Sequence, residues 1–164
     1  MATPTYDLLE SVTLATSATS VTFSSIDQSY GDLVLVCNLG ANNANGLSAG
    51  VRVNDSTTDY SFVLMRNSGS STQGIGGTAG YFKFFNSAGN TSSKALHNMN
   101  FFDYSSTDKH KSVLARHNVD GTAVSAVAYR WANTNAITKL DVMTNSSSYE
   151  FAAGSTINLY GVAK

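Results

Sequence analysis

Cysteine is nearly missing from this chain: Cys37 is the only one in 164 residues. A lone cysteine forms no internal disulfide and argues against a cysteine-based metal site. It stands in the apolar run Leu33-Val34-Leu35-Val36-Cys37, where it reads as a small buried hydrophobe. Proline occurs once, at Pro4. Charge is scarce as well: 13% of residues are charged and the formal net charge is −1. Such a balance offers no general attraction to nucleic acid or to an anionic membrane. No apolar run approaches the roughly 20 residues of a membrane span. The opening Met1-Ala2-Thr3-Pro4-Thr5-Tyr6 lacks the basic and apolar segments of a signal peptide. No long stretch repeats apolar residues at helical spacing, and no internal repeat is visible.

What the chain has in abundance is Ser, Thr and Asn. β-Branched Thr favours strands and Asn favours turns, so a surface made polar by hydroxyls and amides suits β structure. With few Lys and Arg for trypsin-like proteases, it also suits an extracellular or particle-surface setting. The sequons at Asn54, Asn90 and Asn145 read as turn chemistry. The length fits one domain over residues 1–164, which buries roughly 70% of the surface its unfolded chain exposes.

Short strands recur at about ten-residue spacing, the pattern of a sandwich or barrel. Tyr6 to Leu14 places Leu8, Val12 and Leu14 on one face. Val21 and Phe23 continue after a Thr/Ser/Ala stretch, and Ser25 to Gly31 is a connection with room for one helical turn. Leu33 to Leu39 is apolar on both faces, as a central covered strand would be. Val51 and Val53 form a short strand; Tyr60 to Arg66 puts Phe62 and Leu64 opposite Val63 and Met65. Asn67 to Gly80 reads as a long Ser/Gly loop. Tyr81 to Phe85 is strand-like, and Ala95 to Tyr104 alternates His97, Met99 and Phe101 against Leu96, Asn98 and Phe102. His110 to His117 and Thr122 to Trp131 flank Asn118-Val119-Asp120-Gly121, a strong hairpin signal. Ala136 to Thr144 is the penultimate strand, and Phe151 to Lys164 brings Ile157 and Leu159 to close the sheet. The reading is an all-β chain folded as a single antiparallel β-sandwich, jelly-roll-like.

Chemistry is hard to find. Gly74-Ile75-Gly76-Gly77-Thr78-Ala79 matches the loose dinucleotide fingerprint, but no βαβ unit surrounds it. His97, His110 and His117 are the candidate bases or metal ligands; they form no His-x-His pair and read as packed or surface residues. Asp103, Asp108, Asp120, Asp141 and Glu150 are available for paired-carboxylate chemistry, and nothing in the spacing pairs them. No nucleophile elbow occurs. Lys109-His110-Lys111 with Arg116-His117 is the most basic stretch and reads as a solvated strand edge. The eight tyrosines are too dispersed for a sugar platform.

Three stretches together resemble a family of small virion proteins of tailed bacteriophages. They are Val21 to Leu35 with its Phe23-x-x-Ile26 and Tyr30-x-Asp32-Leu33 signature; Val51-Arg52-Val53-Asn54 followed by Tyr60-Ser61; and Trp131, Ala136-Ile137-Thr138, Phe151, Gly154-Ser155-Thr156 and Leu159-Tyr160-Gly161. The resemblance implies a β-sandwich in the virion, as a capsid decoration (cement) protein or as a tail or fibre component recognising a host glycan or protein. It implies no catalytic residue, cofactor or metal. The expected partners are identical copies, as a trimer, and the major capsid protein or other virion proteins, with no nucleic acid and no membrane. Under the resemblance Ile26 and Tyr30 pin the first connection onto the sheet, and Phe151 and Leu159 cover one end.

Overall fold

The computed structural model describes residues 5–43, 48–67, 69, 71–85, 90–119 and 123–164. Twelve strands account for its regular structure, and no helix occurs among these residues: β1 Tyr6–Thr13, β2 Ser20–Phe23, β3 Asp32–Leu39, β4 Ala49–Val53, β5 Tyr60–Asn67, β6 Thr72–Ala79, β7 Phe82–Lys83, β8 Ala95–Phe102, β9 Lys111–Val119, β10 Ala123–Trp131, β11 Leu140–Thr144 and β12 Thr156–Val162. They form an eight-stranded sheet ordered β1-β12-β3-β8-β9-β10-β5-β6 and a four-stranded sheet ordered β2-β11-β4-β7. Every pairing is antiparallel. The chain passes repeatedly between the two sheets, so neighbours in space are often distant in sequence; this is an antiparallel, jelly-roll-like sandwich.

The alternation of side chains builds the core. Leu33, Leu35, Cys37 and Leu39 of β3 point inward beside Phe101, Met99, His97 and Ala95 of β8. Val113, Ala115, Val127, Tyr129 and Trp131 extend the same layer. Val21, Phe23, Val51, Val53, Leu140 and Val142 of the small sheet close over it. The aromatic centre is a contact set of Tyr60, Phe82, Trp131 and Tyr129. Phe82 meets Tyr60 edge-on at 4.8 Å and tilts against Tyr129 at 5.1 Å.

Several expectations are met in detail. β3 lies inside the large sheet between β12 and β8, and β9 and β10 pair as a hairpin whose turn, 120–122, falls outside the described residues. Ile26 is buried, and Tyr30 lies over Gly161, where an added Cβ would sit 2.5 Å from its ring. Phe151 and Leu159 are buried.

Others are corrected. A bulge between Leu8 and Glu10 shifts the register of β1, so Leu9 packs on the core and Leu8 is exposed. Residues 25–31 make bends without a helical turn. The stretch read as a loop, 67–80, carries β6 at the edge of the large sheet, because Gly-rich backbone still pairs along all of β5. The closing strand β12 is interior, with β1 outside it. The penultimate strand is shorter than expected, at Leu140–Thr144.

Candidate interaction face

The outer face of the eight-stranded sheet carries several exposed large apolar side chains among the described residues. Directly paired residues share a face, so the register lays out its rows. One row runs Gly76, Val63, Ala128, Leu114, Asn100 from β6 to β8; the next runs Gly74, Met65, Ala126, Arg116, Asn98. Val63 is 67% exposed, Met65 63% and Leu114 49%, and both alanines are exposed. The alanines form the floor of a groove of about 460 Å³ whose walls are Val63 and Met65 on one side and Leu114 and Arg116 on the other. Arg116 is the only charged side chain in these two rows. Contiguous exposed apolar surface is the material from which interaction sites are commonly made.

The small sheet presents the opposite character. Arg52 of β4 lies across from Asp141 of β11, which lies across from Thr22 of β2. Thr22 Oγ1 donates to Asp141 at 2.6 Å. Lys139 reaches Asp55 at 2.6 Å and Asp141 at 3.3 Å. The hydrogen bond from Lys139 to Asp55 leads the effects that hold its ammonium above the usual lysine range. A polar groove of about 470 Å³ lies along this cluster. Its charges are mutually compensated, and the surface is that of a solvated face.

Beneath the large sheet, the core holds a polar row that the pattern of residues did not announce. His97 of β8 and His117 of β9 are directly opposite, with Nδ1 to Nδ1 at 3.0 Å. His117 Nε2 is 3.2 Å from the Tyr129 hydroxyl, which donates to the Lys83 carbonyl. That order assigns the protons. Tyr129 spends its hydrogen on Lys83, so His117 Nε2–H donates to Tyr129 and His117 Nδ1 is bare. His97 Nδ1–H then donates to it, and His97 Nε2 is left a buried lone pair without a partner. Phe84 stacks on the His97 ring at 4.2 Å, 7° from parallel. Burial drives both imidazoles toward the neutral form: His97 is held well below the usual histidine range and His117 is pushed down to about 3. At neutral pH the pair is uncharged and packed out of reach of solvent in the core.

The remaining candidates stay apart. His110 is exposed, ahead of β9. Asp103 pairs with Lys109 at 2.5 Å, Asp108 takes the Ser106 hydroxyl, and Glu150 accepts from Asn42 at 2.7 Å. Asp120 lies outside the described residues. No group of three His, Cys, Asp or Glu close enough to hold a metal occurs among the described residues. Gly74 to Ala79 is strand rather than phosphate-binding turn. The basic stretch is not a strand edge: β9 is interior, and Lys111 is 1% exposed, its ammonium donating to the carbonyls of Lys109 and Thr134 at 3.0 and 3.1 Å.

No family model matches the chain, and no curated protein matches it. Among solved structures it is similar to CG-16, a homodimeric agglutinin from chicken liver, at 14% identity over 85% of this chain and 98% of that one, with a TM-score of 0.39. It is also similar to the marine PL-14 alginate lyase from Aplysia kurodai, at 12% identity over 84% of this chain and 70% of that one, with a TM-score of 0.35. At these values no feature of a site is carried over from either.

Two arrangements were not fully legible along the chain. The apolar outer groove was half visible, since Val63 and Met65 alternate with Phe62 and Leu64 and make β5 apolar on both sides. The histidine pair was not, because residues 103–110 separate the two strands and no short turn sets the register between 97 and 117.

Proposed function

We propose that this protein is a non-enzymatic structural component of a tailed-phage virion, a decoration protein that associates with identical copies and attaches to the capsid lattice. The observation that supports the reading best is the apolar groove of Val63, Met65, Leu114, Ala126 and Ala128 on the outer face of the large sheet, where Arg116 is the one charge, a surface suited to docking on protein rather than on nucleic acid or an anionic membrane. The virion setting rests on the resemblance of the three sequence stretches named above. Repeated copies on a lattice gain avidity, since each weak attachment is reinforced by its linked neighbours. A docking surface with so few charges gives attachment that depends weakly on salt, because few ion pairs exist to be screened.

The test is a reconstruction of particles bearing the tagged chain, with binding of the purified chain to undecorated heads measured in parallel. Regular occupancy of head-lattice positions is expected. Density at the tail or fibre alone would replace this reading with host recognition. Turnover of a cell-surface polymer by the purified chain would remove the non-enzymatic part.

A further inference from the structure

The outer face of the large sheet is ridged in a way that fits itself. Across β6, β5, β10 and β9 the side chains alternate low, high, low, high: Gly74 and Gly76, then Met65 and Val63, then Ala126 and Ala128, then Arg116 and Leu114. We propose that this face is the contact of a two-fold symmetric dimer, in which the Val63/Met65 ridge of each copy seats in the Ala126/Ala128 groove of the other. The proposal rests on the self-association proposed above, names its surface and symmetry, and puts a two-fold dimer in place of the trimer expected from the sequence.

The symmetry follows from the order of the strands. A two-fold axis along the strands, above the boundary of β5 and β10, lays each β5 over the other copy's β10. It also lays each β9 over the other copy's β6. All four strips then meet high against low, and each row stays in its own plane: Val63 over Ala128, Leu114 over Gly76, Met65 over Ala126, Arg116 over Gly74. One surface patch serves both copies, as an isologous contact requires.

The glycines of β6 supply an independent argument. Glycine inside a strand weakens it and often marks a place where another backbone or ligand comes close. Gly77 has a reason within the chain, since a Cβ there would lie 3.3 Å from the Phe62 ring. Gly74 and Gly76 do not. Nothing lies within 4 Å of a Cβ built on Gly74, and a Cβ on Gly76 would meet only the Phe62 carbonyl at 3.6 Å. Neither has positive φ. Both face outward, where the proposed partner brings its Leu114 and Arg116.

Charge and area set bounds on the contact. The two Arg116 side chains are separated by about three strand spacings, roughly 14 Å, beyond the ~8 Å screening length at physiological salt. Arg130 lies one row further along β10, opposite Ser61, and the same axis sets the two Arg130 strands only one spacing (~5 Å) apart laterally, so the contact carries one like-charge pair at its margin, which added salt screens. Four strands at about 4.8 Å spacing and eight residues at about 3.3 Å rise give a patch of roughly 500 Å² per copy. The pair therefore buries about 1,000 Å², the lower bound for a specific interface.

Sedimentation equilibrium of the purified chain tests this directly. A concentration-dependent dimer is expected, unchanged or slightly tightened by added salt. Val63→Glu and Ala128→Glu, both at exposed positions, should each weaken it at least tenfold while leaving the melting temperature of the dilute monomer near wild type. Gly76→Val should separate the two roles: the monomer melts at the same or a higher temperature, and the dimer weakens at least tenfold. Mixing Val63→Lys chains with Ala128→Glu chains should restore a heterodimer that neither forms alone. A lone monomer at high concentration, a trimer, or a dimer indifferent to all three single variants would overturn the proposal. A chain that is monomeric yet occupies capsid lattice sites would sink the dimer and leave the decoration reading standing; a dimer that ignores particles would do the reverse.

Discussion

Acidification from pH 7.5 to 5.0 should remove a large part of this protein's stability, through His97 and His117. Both imidazoles are neutral in the fold, His117 pushed down to about 3 and His97 held well below the ordinary value of 6.5, by burial in each case. In the unfolded chain both take up protons as the pH falls through 6.5. The unfolded state then binds more protons than the native one, so stability is complete above pH 6.5 and is lost as the pH falls from there toward 3. Each unit of that window costs about 1.4 kcal/mol per histidine. At pH 5.0 the loss is about 2 kcal/mol for each and about 4 kcal/mol for the pair. For a chain of this length that lowers the melting temperature by roughly 8–16 °C. The fold offers no cheap alternative: the one free lone pair is His97 Nε2, which is buried, and a proton there puts an uncompensated cation in the core. Thermal melts followed by circular dichroism at the two pH values measure the effect. The double variant His97→Gln/His117→Gln is the control; it should be less stable at pH 7.5 and should lose the steep dependence between pH 7.5 and 5.0. A wild-type melting temperature that moves by less than about 2 °C, or a double variant that keeps the full drop, would refute the reasoning.

Leu35 is fully buried in β3, so Leu35→Asp should cost several kcal/mol, on the order of the whole stability margin, and yield a chain that fails to melt cooperatively. Gly161→Ala would put a Cβ 2.5 Å from the Tyr30 ring; displacing that ring and its hydrogen bond to Asp7 should cost about 1–3 kcal/mol, read as a lower denaturation midpoint with an unchanged slope. The Cys37 thiol is fully buried, and burial raises its pKa, so a thiol reagent should leave it unlabelled in native protein and label it once in denaturant. Treatment with a strong chelator should leave the melting temperature unchanged, and stoichiometric zinc in the purified chain would contradict the metal-free reading.

Periodicity two was enough to make this chain all-β and to orient most of its strands. Ala95 to Phe102 and Val127 to Trp131 carry their inward and outward assignments in the alternation itself, because consecutive side chains on a strand point to opposite faces, whereas Leu33 to Leu39, apolar throughout, showed that it was central but not which face was inward. The hairpin of β9 and β10 was legible for the same local reason, a short polar turn between two apolar runs. Order across the sheets was not. It depends on which distant strands share a ladder, and nothing local in Thr156–Val162 says that it lies between β1 and β3. The bulge that turns Leu9 inward, the pairing of Gly-rich β6 and the burial of Lys111 are likewise outcomes of that pairing. The histidine pair and the ridged outer face belong to the same class. Each is made of residues ordinary in sequence, and each exists only because strand register sets residues 20 or more positions apart side by side.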